Sequence, residues 1–219
     1  MKKYISLCSI LLFVIPIVTL LICLQIHVLY YDLQSIPFID GKVSISLIGR
    51  QEKTIAIFKS GLFLYSIVSI FFYLKISEFF LSKGIKNKFK IFGILANFFL
   101  FIYLLALGKQ EFFYETSRRL AIIFFITTMY INHVYLIKVL ILLKSINKIE
   151  FNITYSMIFY TIIIVMTILV IIGLPWVNPL FKYPDQLKNI IEWNLLFLTV
   201  TFYIPLSFLY YQLEKKVKK

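Results

Sequence analysis

The chain has 219 residues, of which 61% are hydrophobic and 18% are aromatic. A soluble domain is closer to half apolar, so a water-soluble fold of this size has too little interior to bury so many Phe, Ile and Leu side chains. The net charge is +13 although only 15% of residues are charged. The lysines and arginines flank apolar runs, which is typical of a membrane protein and argues against a nucleic-acid-binding one.

Six apolar runs follow one another along the chain, and each is about the 20 residues that a helix needs to cross a bilayer. They do not alternate as barrel strands do. The sequence therefore predicts an all-α fold, a single domain over residues 1–219 that forms a transmembrane bundle of six helices. The first run has no small-residue cleavage site and is expected to remain as a span. The predicted spans are Ile5–Ile26, Thr54–Leu74, Phe89–Leu107, Leu120–Leu143, Ser156–Leu174 and Ile190–Tyr211.

The distribution of lysine predicts the orientation. With the N-terminus inside, the inner segments carry a net charge of +11 and the outer segments +2. Because cytoplasmic loops are enriched in Lys and Arg, both termini are predicted to be cytoplasmic. The compartment is an endomembrane (Golgi, ER or lysosome) or the plasma membrane if the chain is eukaryotic, and the inner membrane if it is prokaryotic.

The stretch from Ser44 to Leu74 begins polar and then enters the second span without a proline. Its polar part is predicted to lie close to the membrane surface on the outer side. Mixed charges on that side can satisfy one another, which predicts a polar cap over the non-cytoplasmic end of the bundle. The outer residues that we single out are Ser44, Ser46, Gly49, Arg50, Glu52, Lys59, Arg118, Arg119, Glu192 and Trp193.

Three details of the charged residues carry separate expectations. Glu115 and Arg119 are four apart and share a face if that segment is helical. Lys59, near the outer end of span two, is placed to pair with Glu192 at the start of span six. His133 lies in the middle of span four, where a histidine is either satisfied by a neighbour such as Asn132 or Tyr130 or is functional.

The sequence offers little chemistry. It has two histidines, His27 and His133, and two cysteines, Cys8 and Cys23, both within the first span. A catalytic zinc site needs about three ligands, and the chain has no His-Glu-x-x-His, Gly-x-Ser-x-Gly or phosphate-loop motif. We therefore expect no metal and no cofactor, and the balance favours a protein without catalytic activity.

The motif Ser44-Ile45-Ser46-x-x-Gly49, followed by Ile57-Phe58-x-x-Gly61 and a helix, resembles the signature of the DRAM/Frag/Sfk family. These are six-span eukaryotic membrane proteins that include autophagy modulators, plasma-membrane regulators of phosphatidylinositol 4-kinase, and the Golgi factor that remodels the lipid of GPI anchors. Glu192-Trp193 matches the acidic-aromatic pair that commonly opens the family's sixth span. Arg118-Arg119 lies at the turn that opens the fourth span, where the family commonly has a histidine. A prokaryotic six-span family of unknown function, with a Ser-x-x-Gly loop before span two, fits nearly as well.

Two classes of function follow. The first is a non-catalytic lipid-handling, membrane-trafficking or scaffold factor, whose partners are membrane lipids or another membrane protein. The second is a lipid-remodelling enzyme that acts on GPI-type lipids, and a small-solute transporter is a weaker third. Arg50, Arg118 and Arg119 have the chemistry to hold a phosphate, although the sequence favours a salt-bridged cap as the role of these polar residues. Convergence of Ser44, Arg118 and Glu192 on a cavity favours lipid binding, and scatter favours a scaffold.

Overall fold

The computed structural model describes residues 2–31, 35–109, 111–146, 149, 152–177 and 185–215. Over these ranges the regular secondary structure is entirely α-helical, because the long apolar runs satisfy their backbone hydrogen bonds within each helix. The helices are α1 (Lys2–Tyr31), α2 (Pro37–Asp40), α3 (Ile45–Arg50), α4 (Ile55–Ser82), α5 (Phe89–Ala106), α6 (Phe112–Ser145), α7 (Ile153–Val177), α8 (Asp185–Thr201) and α9 (Tyr203–Lys215).

Six segments are long and apolar enough to cross a membrane, which confirms the predicted fold class. They are α1, α4, α5, α6, α7 and the pair α8 and α9. Helix α1 packs against α4 and α9, α5 lies between α4 and α6, and α7 contacts α6 and α8. The outer faces keep large apolar side chains such as Phe63, Leu105 and Ile164 about half exposed. An apolar outer surface on every span is what contact with lipid requires.

The observed helices extend beyond most of the predicted spans. Helix α6 begins at Phe112 rather than Leu120, and α4 continues past Leu74 to Ser82. In this extension of α4, Lys75 pairs with Glu78 one turn later, with 2.9 Å between Nζ and Oε2. Hydropathy marks the part of a helix that lies in hydrocarbon, whereas the helix itself continues into the polar interface.

A small cap covers one end of the bundle, as predicted. Helices α2 and α3 lie between α1 and α4; α2 packs against α8, and α3 contacts α1, α4 and α8. We call this end, where α1 and α5 finish and α4, α6 and α8 begin, the cap end. The two short helices were not predicted, because four or six residues show no helical periodicity.

The sixth span is broken near its middle. Helix α8 ends at Thr201 and α9 begins at Tyr203. Pro205 has no N–H to donate to the carbonyl of Thr201, so the helical ladder is interrupted there. Helix α1, in contrast, is a single helix through Pro16.

Candidate functional site: a cationic pocket at the cap end

Helix α3 begins directly after Ser44, the first serine of the motif. Ser44 is the N-cap residue, and its hydroxyl accepts a hydrogen bond from the backbone N–H of Leu47 at 3.0 Å. The Ser46 hydroxyl lies 3.3 Å from that of Ser44. Ser, Thr, Asp and Asn are favoured at this position because they satisfy a free helical N–H. The first serine of the motif thus fixes the start of a helix whose last residue is Arg50.

The corner between α3 and α4 is tightly packed. A Cβ added to Gly49 would lie 2.8 Å from the ring of Phe58, so a side chain there would displace one helix. Thr54 closes the corner by donating its hydroxyl to the backbone carbonyl of Ile48 and, at 3.3 Å, to that of Gln51. The glycine of the motif therefore allows the approach that sets the position of Arg50.

Polar side chains of α8 hold the segment that precedes α3. Asn189 donates to the carbonyl of Gly41 at 2.7 Å, and Asn194 donates to that of Phe38 at 3.0 Å. Gly41 has a φ of 58°, and a Cβ on it would lie 2.0 Å from the carbonyl oxygen of Gln186. Only glycine fits such a left-handed and crowded position.

Glu192 lies at the N-terminus of α3. Its carboxylate accepts hydrogen bonds from the backbone N–H groups of Ile45 and Ser46. The free N–H groups and the dipole at a helix N-terminus favour a negative charge. Glu192 therefore joins α8 to α3, and its carboxylate is already hydrogen-bonded to the backbone of the cap.

A pocket of about 500 Å³ lies beside α3, where the connection between α5 and α6 passes the start of α6. We call it the cationic pocket. Gly108, with a φ of 88°, turns the chain after α5 and presents the next residue, Lys109, to this pocket. The residues that line it are Arg50, Gln51, Gly108, Lys109, Glu115 and Arg118.

Arg118 is the central residue of this pocket. It is only 7% exposed, and none of the described residues forms an ion pair or a hydrogen bond with its guanidinium. Withdrawing a charge from water without a partner costs several kcal/mol, so a buried arginine is normally paired. Arg118 faces a cavity instead, and an anion in that cavity would supply the missing partner.

Among the described residues that line the pocket there is one carboxylate, that of Glu115, and it is already neutralised. Glu115 pairs with Arg119, with 2.6 Å between Oε1 and Nη2, as the spacing of four residues predicted. The ammonium of Lys109 lies over the ring of Tyr114, 4.1 Å from its centroid. Over the described ranges, neither Lys109 nor Arg50 has an acidic partner. The pocket therefore has an excess of positive charge.

Tyr103 connects the pocket to the contact between α3 and α8. This tyrosine of α5 is buried, and the charges of Glu192, Arg118 and Arg50 all act on its hydroxyl. Arg118 and Glu192 therefore both lie near Tyr103 at the cap end. The convergence of Ser44, Arg118 and Glu192 on one cavity is not observed, because Arg118 lines the cationic pocket and Ser44 and Glu192 do not.

The other residues singled out from the sequence lie outside the pocket. Glu52 and Arg119 are exposed, and Lys59 is half-buried on α4. The proposed Lys59–Glu192 ion pair is wrong, because these two residues form no ion pair in the described structure and Glu192 faces the N–H groups of α3.

Two further residues belong to the packing. Trp193 is buried on α8. His133 lies about four helical turns along α6 from Arg118.

Five residues of the site were not predicted: Gln51, Tyr103, Gly108, Lys109 and Glu115. Lys109 and Glu115 were visible as charges on the second outer loop, but nothing in their spacing shows that the loop folds back on the end of α3. Tyr103 is one of the 15 tyrosines of the chain, and no local signal separates it from the rest.

A second group of polar residues lies inside the bundle, close to the break in the sixth span. His133 is 1% exposed, and its ring stacks on that of Phe202 with centroids 4.0 Å apart. No described residue hydrogen-bonds to either ring nitrogen, and both polar atoms of the neighbouring Asn132 also lack a partner there. The expected neighbour Tyr130 bonds instead to Thr167, at 2.7 Å. The sequence suggested that a neighbour satisfies His133, and the structure does not show one.

Comparison with known proteins gives no relative. No protein-family model, no curated protein and no solved structure matches this chain. The fold and the sites therefore define the class, a multi-pass α-helical membrane protein, and every finer assignment depends on the geometry of this chain.

Proposed function

We propose that this multi-pass membrane protein is a lipid-handling factor that receives the phosphate of a lipid headgroup in the cationic pocket. The observation that carries the proposal is Arg118, a buried arginine that lines a cavity and has no partner among the described residues. A guanidinium binds phosphate oxygens through paired N–H donors, and such charge-assisted hydrogen bonds are among the strong ones. Arg50 faces the same pocket and supplies a second guanidinium.

The surroundings of the pocket favour a lipid as the source of the phosphate. The pocket lies at the cap end of the apolar bundle, where a bilayer spanned by these helices would have its headgroups. The first two residues of α6, Phe112 and Phe113, are 85% and 71% exposed. Transfer of such apolar side chains from water to lipid is favourable, so this pair would enter the lipid beside the pocket.

The resemblance to DRAM/Frag/Sfk proteins agrees with a role in lipid handling, and so does the predicted orientation. With both termini cytoplasmic, the cap end is non-cytoplasmic, and the pocket would take its lipid from the lumenal or external leaflet. The compartment follows the same proposal: an endomembrane or the plasma membrane in a eukaryote, and the inner membrane in a prokaryote.

Binding without catalysis is the version that we propose. Ser44 is the first serine that a catalytic role would call on as a nucleophile. Its hydroxyl already accepts the hydrogen bond that caps α3. A nucleophile needs a base within hydrogen-bond reach. Within the described residues, the hydroxyls of Ser44 and Ser46 bond to each other, that of Ser44 also accepts from the N–H of Leu47, and neither hydroxyl bonds to a histidine or a carboxylate. A lipid-remodelling enzyme is the alternative that the experiment below also tests.

The experiment is native mass spectrometry of the purified full chain for phospholipid that co-purifies. We expect bound phospholipid on the wild type, and at least a tenfold loss with Arg118→Gln. Arg50→Gln should reduce it less, because Arg50 is exposed and more easily replaced by water. Lys188→Gln is the matched control, since Lys188 is a cap-end cation that pairs with Asp185 at 3.0 Å away from the pocket.

Arg50→Gln keeps the test decisive if Arg118→Gln fails to fold, because an exposed arginine contributes little to folding. Equal lipid on the wild type, both arginine variants and the control would contradict the proposal. Release of lipid cleavage products by the wild type, absent from Arg118→Gln, would replace it with the enzyme alternative.

A further inference from the structure

Lipid headgroups divide into zwitterionic ones, which carry an ammonium as well as a phosphate, and anionic ones. A protein recognises an ammonium with a carboxylate or with the face of an aromatic ring. The cationic pocket has one of each within reach: Glu115 in its lining and Tyr114 on the preceding residue. Whether the Glu115 carboxylate and the Tyr114 ring are free to bind an ammonium therefore decides which headgroups fit the pocket.

Both groups are occupied by cations of the protein itself. Arg119 holds the Glu115 carboxylate at 2.6 Å, and the Lys109 ammonium covers the Tyr114 ring at 4.1 Å from its centroid. No other carboxylate is among the described residues that line the pocket, and that of Glu192 accepts from the backbone of α3. A choline or ethanolamine group in the pocket would thus meet the positive charge of Arg50, Lys109 and Arg118 without a free carboxylate in the lining.

The pocket instead presents three cations, Arg50, Lys109 and Arg118, that have no acidic partner in the described parts of the chain. A phosphodiester carries a single negative charge. A phosphomonoester carries about −1.5 to −2 near neutral pH and has three acceptor oxygens. A monoester therefore matches both the charge and the number of donors better than a diester does.

We infer that the ligand of the cationic pocket is a phosphomonoester headgroup, of the phosphatidic acid class, and that zwitterionic phospholipids are rejected. This inference rests on the proposed function, because it names the class of lipid that the same pocket binds. Arg118 and Arg50 take the phosphate oxygens, and Lys109, kept in place by Tyr114, supplies the third charge. Arg119 acts as a specificity residue, because it withholds the Glu115 carboxylate from an ammonium.

The test is a competition measured by native mass spectrometry. The purified full chain is mixed with equal amounts of phosphatidic acid, phosphatidylglycerol, phosphatidylcholine and phosphatidylethanolamine that share the same acyl chains. We expect phosphatidic acid adducts to exceed phosphatidylglycerol adducts at least threefold, with the two zwitterionic lipids at background. Lys109→Gln should bring phosphatidic acid down to the level of phosphatidylglycerol, and Lys188→Gln should change nothing.

A second arm of the competition test measures a gain of binding to a zwitterionic lipid. Arg119→Gln frees the Glu115 carboxylate, so phosphatidylethanolamine adducts should rise above background while Lys188→Gln leaves them there. Arg119 is exposed, so this variant is expected to fold. Equal adducts of all four lipids, a preference for a zwitterionic lipid, equal phosphatidic acid and phosphatidylglycerol, or no change with Arg119→Gln would each overturn the headgroup assignment.

Soluble glycerol 3-phosphate separates this inference from the proposed function. If it binds in an Arg118-dependent way and no lipid does, the monoester chemistry is retained and the lipid-handling function fails. If phospholipids bind through Arg118 but without the predicted order, the function is retained and the headgroup class is wrong. If neither lipid nor glycerol 3-phosphate binds, both are wrong.

Discussion

Trp193 donates its indole N–H to the backbone carbonyl of Val43 at 2.8 Å, across a sequence separation of 150 residues. Both residues are buried, and the Trp193 ring also packs edge-on against Phe38 with centroids 5.2 Å apart. The bond fixes the segment directly before Ser44, and therefore the start of α3. One face of the sixth span thus determines where the cap, with Arg50 at the end of α3, lies on the bundle.

Replacing Trp193 with Phe should loosen the cap. Phe keeps most of the ring packing against Phe38 but leaves the buried carbonyl of Val43 without a donor. An unsatisfied buried polar group costs about 1–3 kcal/mol, so we expect a lower thermal midpoint in detergent and weaker binding of anionic lipid. Phe197→Leu is the control, because Phe197 also packs edge-on against Phe38 but makes no bond to the cap backbone. An unchanged midpoint for Trp193→Phe would show that the bond contributes nothing.

Substituting Ala for Gly49 tests whether the corner between α3 and α4 sets the pocket. The added Cβ would lie 2.8 Å from the Phe58 ring, and overpacking of this kind costs about 1–3 kcal/mol. We expect lower stability and reduced lipid binding, with partial recovery in the double variant Gly49→Ala, Phe58→Val. Ser60→Ala, at an exposed position of α4, should be neutral. Failure of the second substitution to restore either property would argue against a steric cause.

The sequence predicted the spans because hydropathy and the length of a bilayer are properties of local segments. A proline also acts locally, because it has no N–H to donate, and Pro205 lies where the sixth span is interrupted. The sequence did not predict α2 and α3, which are too short to show a period. It also missed the full length of α6, because Glu115, Arg118 and Arg119 lower the hydropathy of its first turns.

The candidate site divides in the same way. Arg50 and Arg118 were singled out because arginine near a membrane surface suits a phosphate. Lys109 was not, because its place in the pocket depends on the turn at Gly108 and on contacts between segments distant in sequence. The predicted ion pair between Lys59 and Glu192 was wrong for a related reason. The Glu192 carboxylate bonds to backbone N–H groups of α3 instead, and a pattern of side chains in the sequence does not reveal backbone donors.

Asp40 should make the cap sensitive to acid. Its carboxylate accepts from the backbone N–H of Lys42 at 3.0 Å, from the hydroxyl of Ser35 at 2.7 Å and from the backbone N–H of Ile36 at 2.9 Å. These bonds, led by that from Lys42, hold the pKa of the Asp40 carboxyl below its ordinary value of 3.8. A lowered pKa contributes stability that is complete above the unfolded-state pKa of about 3.9 and is lost as the pH falls through the folded-state value.

The measurement is the thermal midpoint between pH 2.5 and pH 6 for the wild type and Asp40→Asn. We expect the decline of the midpoint below about pH 4 to be shallower in Asp40→Asn, because the variant has no carboxyl to protonate. Asp185→Asn is the control, since Asp185 is exposed and pairs with Lys188 on the surface. Identical pH profiles for the wild type and Asp40→Asn would show that Asp40 does not cause the acid sensitivity of the cap.

Two asparagines inside the bundle should respond in opposite ways to replacement by leucine. Asn97 donates to the Ser69 hydroxyl at 3.0 Å and to the carbonyl of Gly93 at 2.8 Å. Asn132 makes no hydrogen bond with its side chain in the described structure. Removing the bonded amide nitrogen of Asn97 costs about 1 kcal/mol, whereas an apolar group in place of an unpaired polar one is neutral or stabilising. Asn97→Leu should therefore lower the thermal midpoint and Asn132→Leu should leave or raise it. A fall with Asn132→Leu as large as with Asn97→Leu would mean that Asn132 has a partner, such as buried water.

Ser6 and Ser207 join the first span to the last by a reciprocal pair of hydrogen bonds. Each hydroxyl donates to the other residue's backbone carbonyl at 3.1 Å, and the two hydroxyls are themselves 3.1 Å apart. Hydrogen bonds between spans average about 0.6 kcal/mol in double-mutant cycles and reach about 1.7 kcal/mol. Because this pair is reciprocal and buried, we expect a coupling energy in the upper half of that range between Ser6→Ala and Ser207→Ala.

The double-mutant cycle is measured by reversible unfolding in mixed micelles. Ser9→Ala provides the reference, since the Ser9 hydroxyl bonds to the carbonyl of Ile5 within its own helix and should show no coupling to Ser207→Ala. Additive effects of Ser6→Ala and Ser207→Ala would mean that packing alone, rather than this pair, holds α1 against α9.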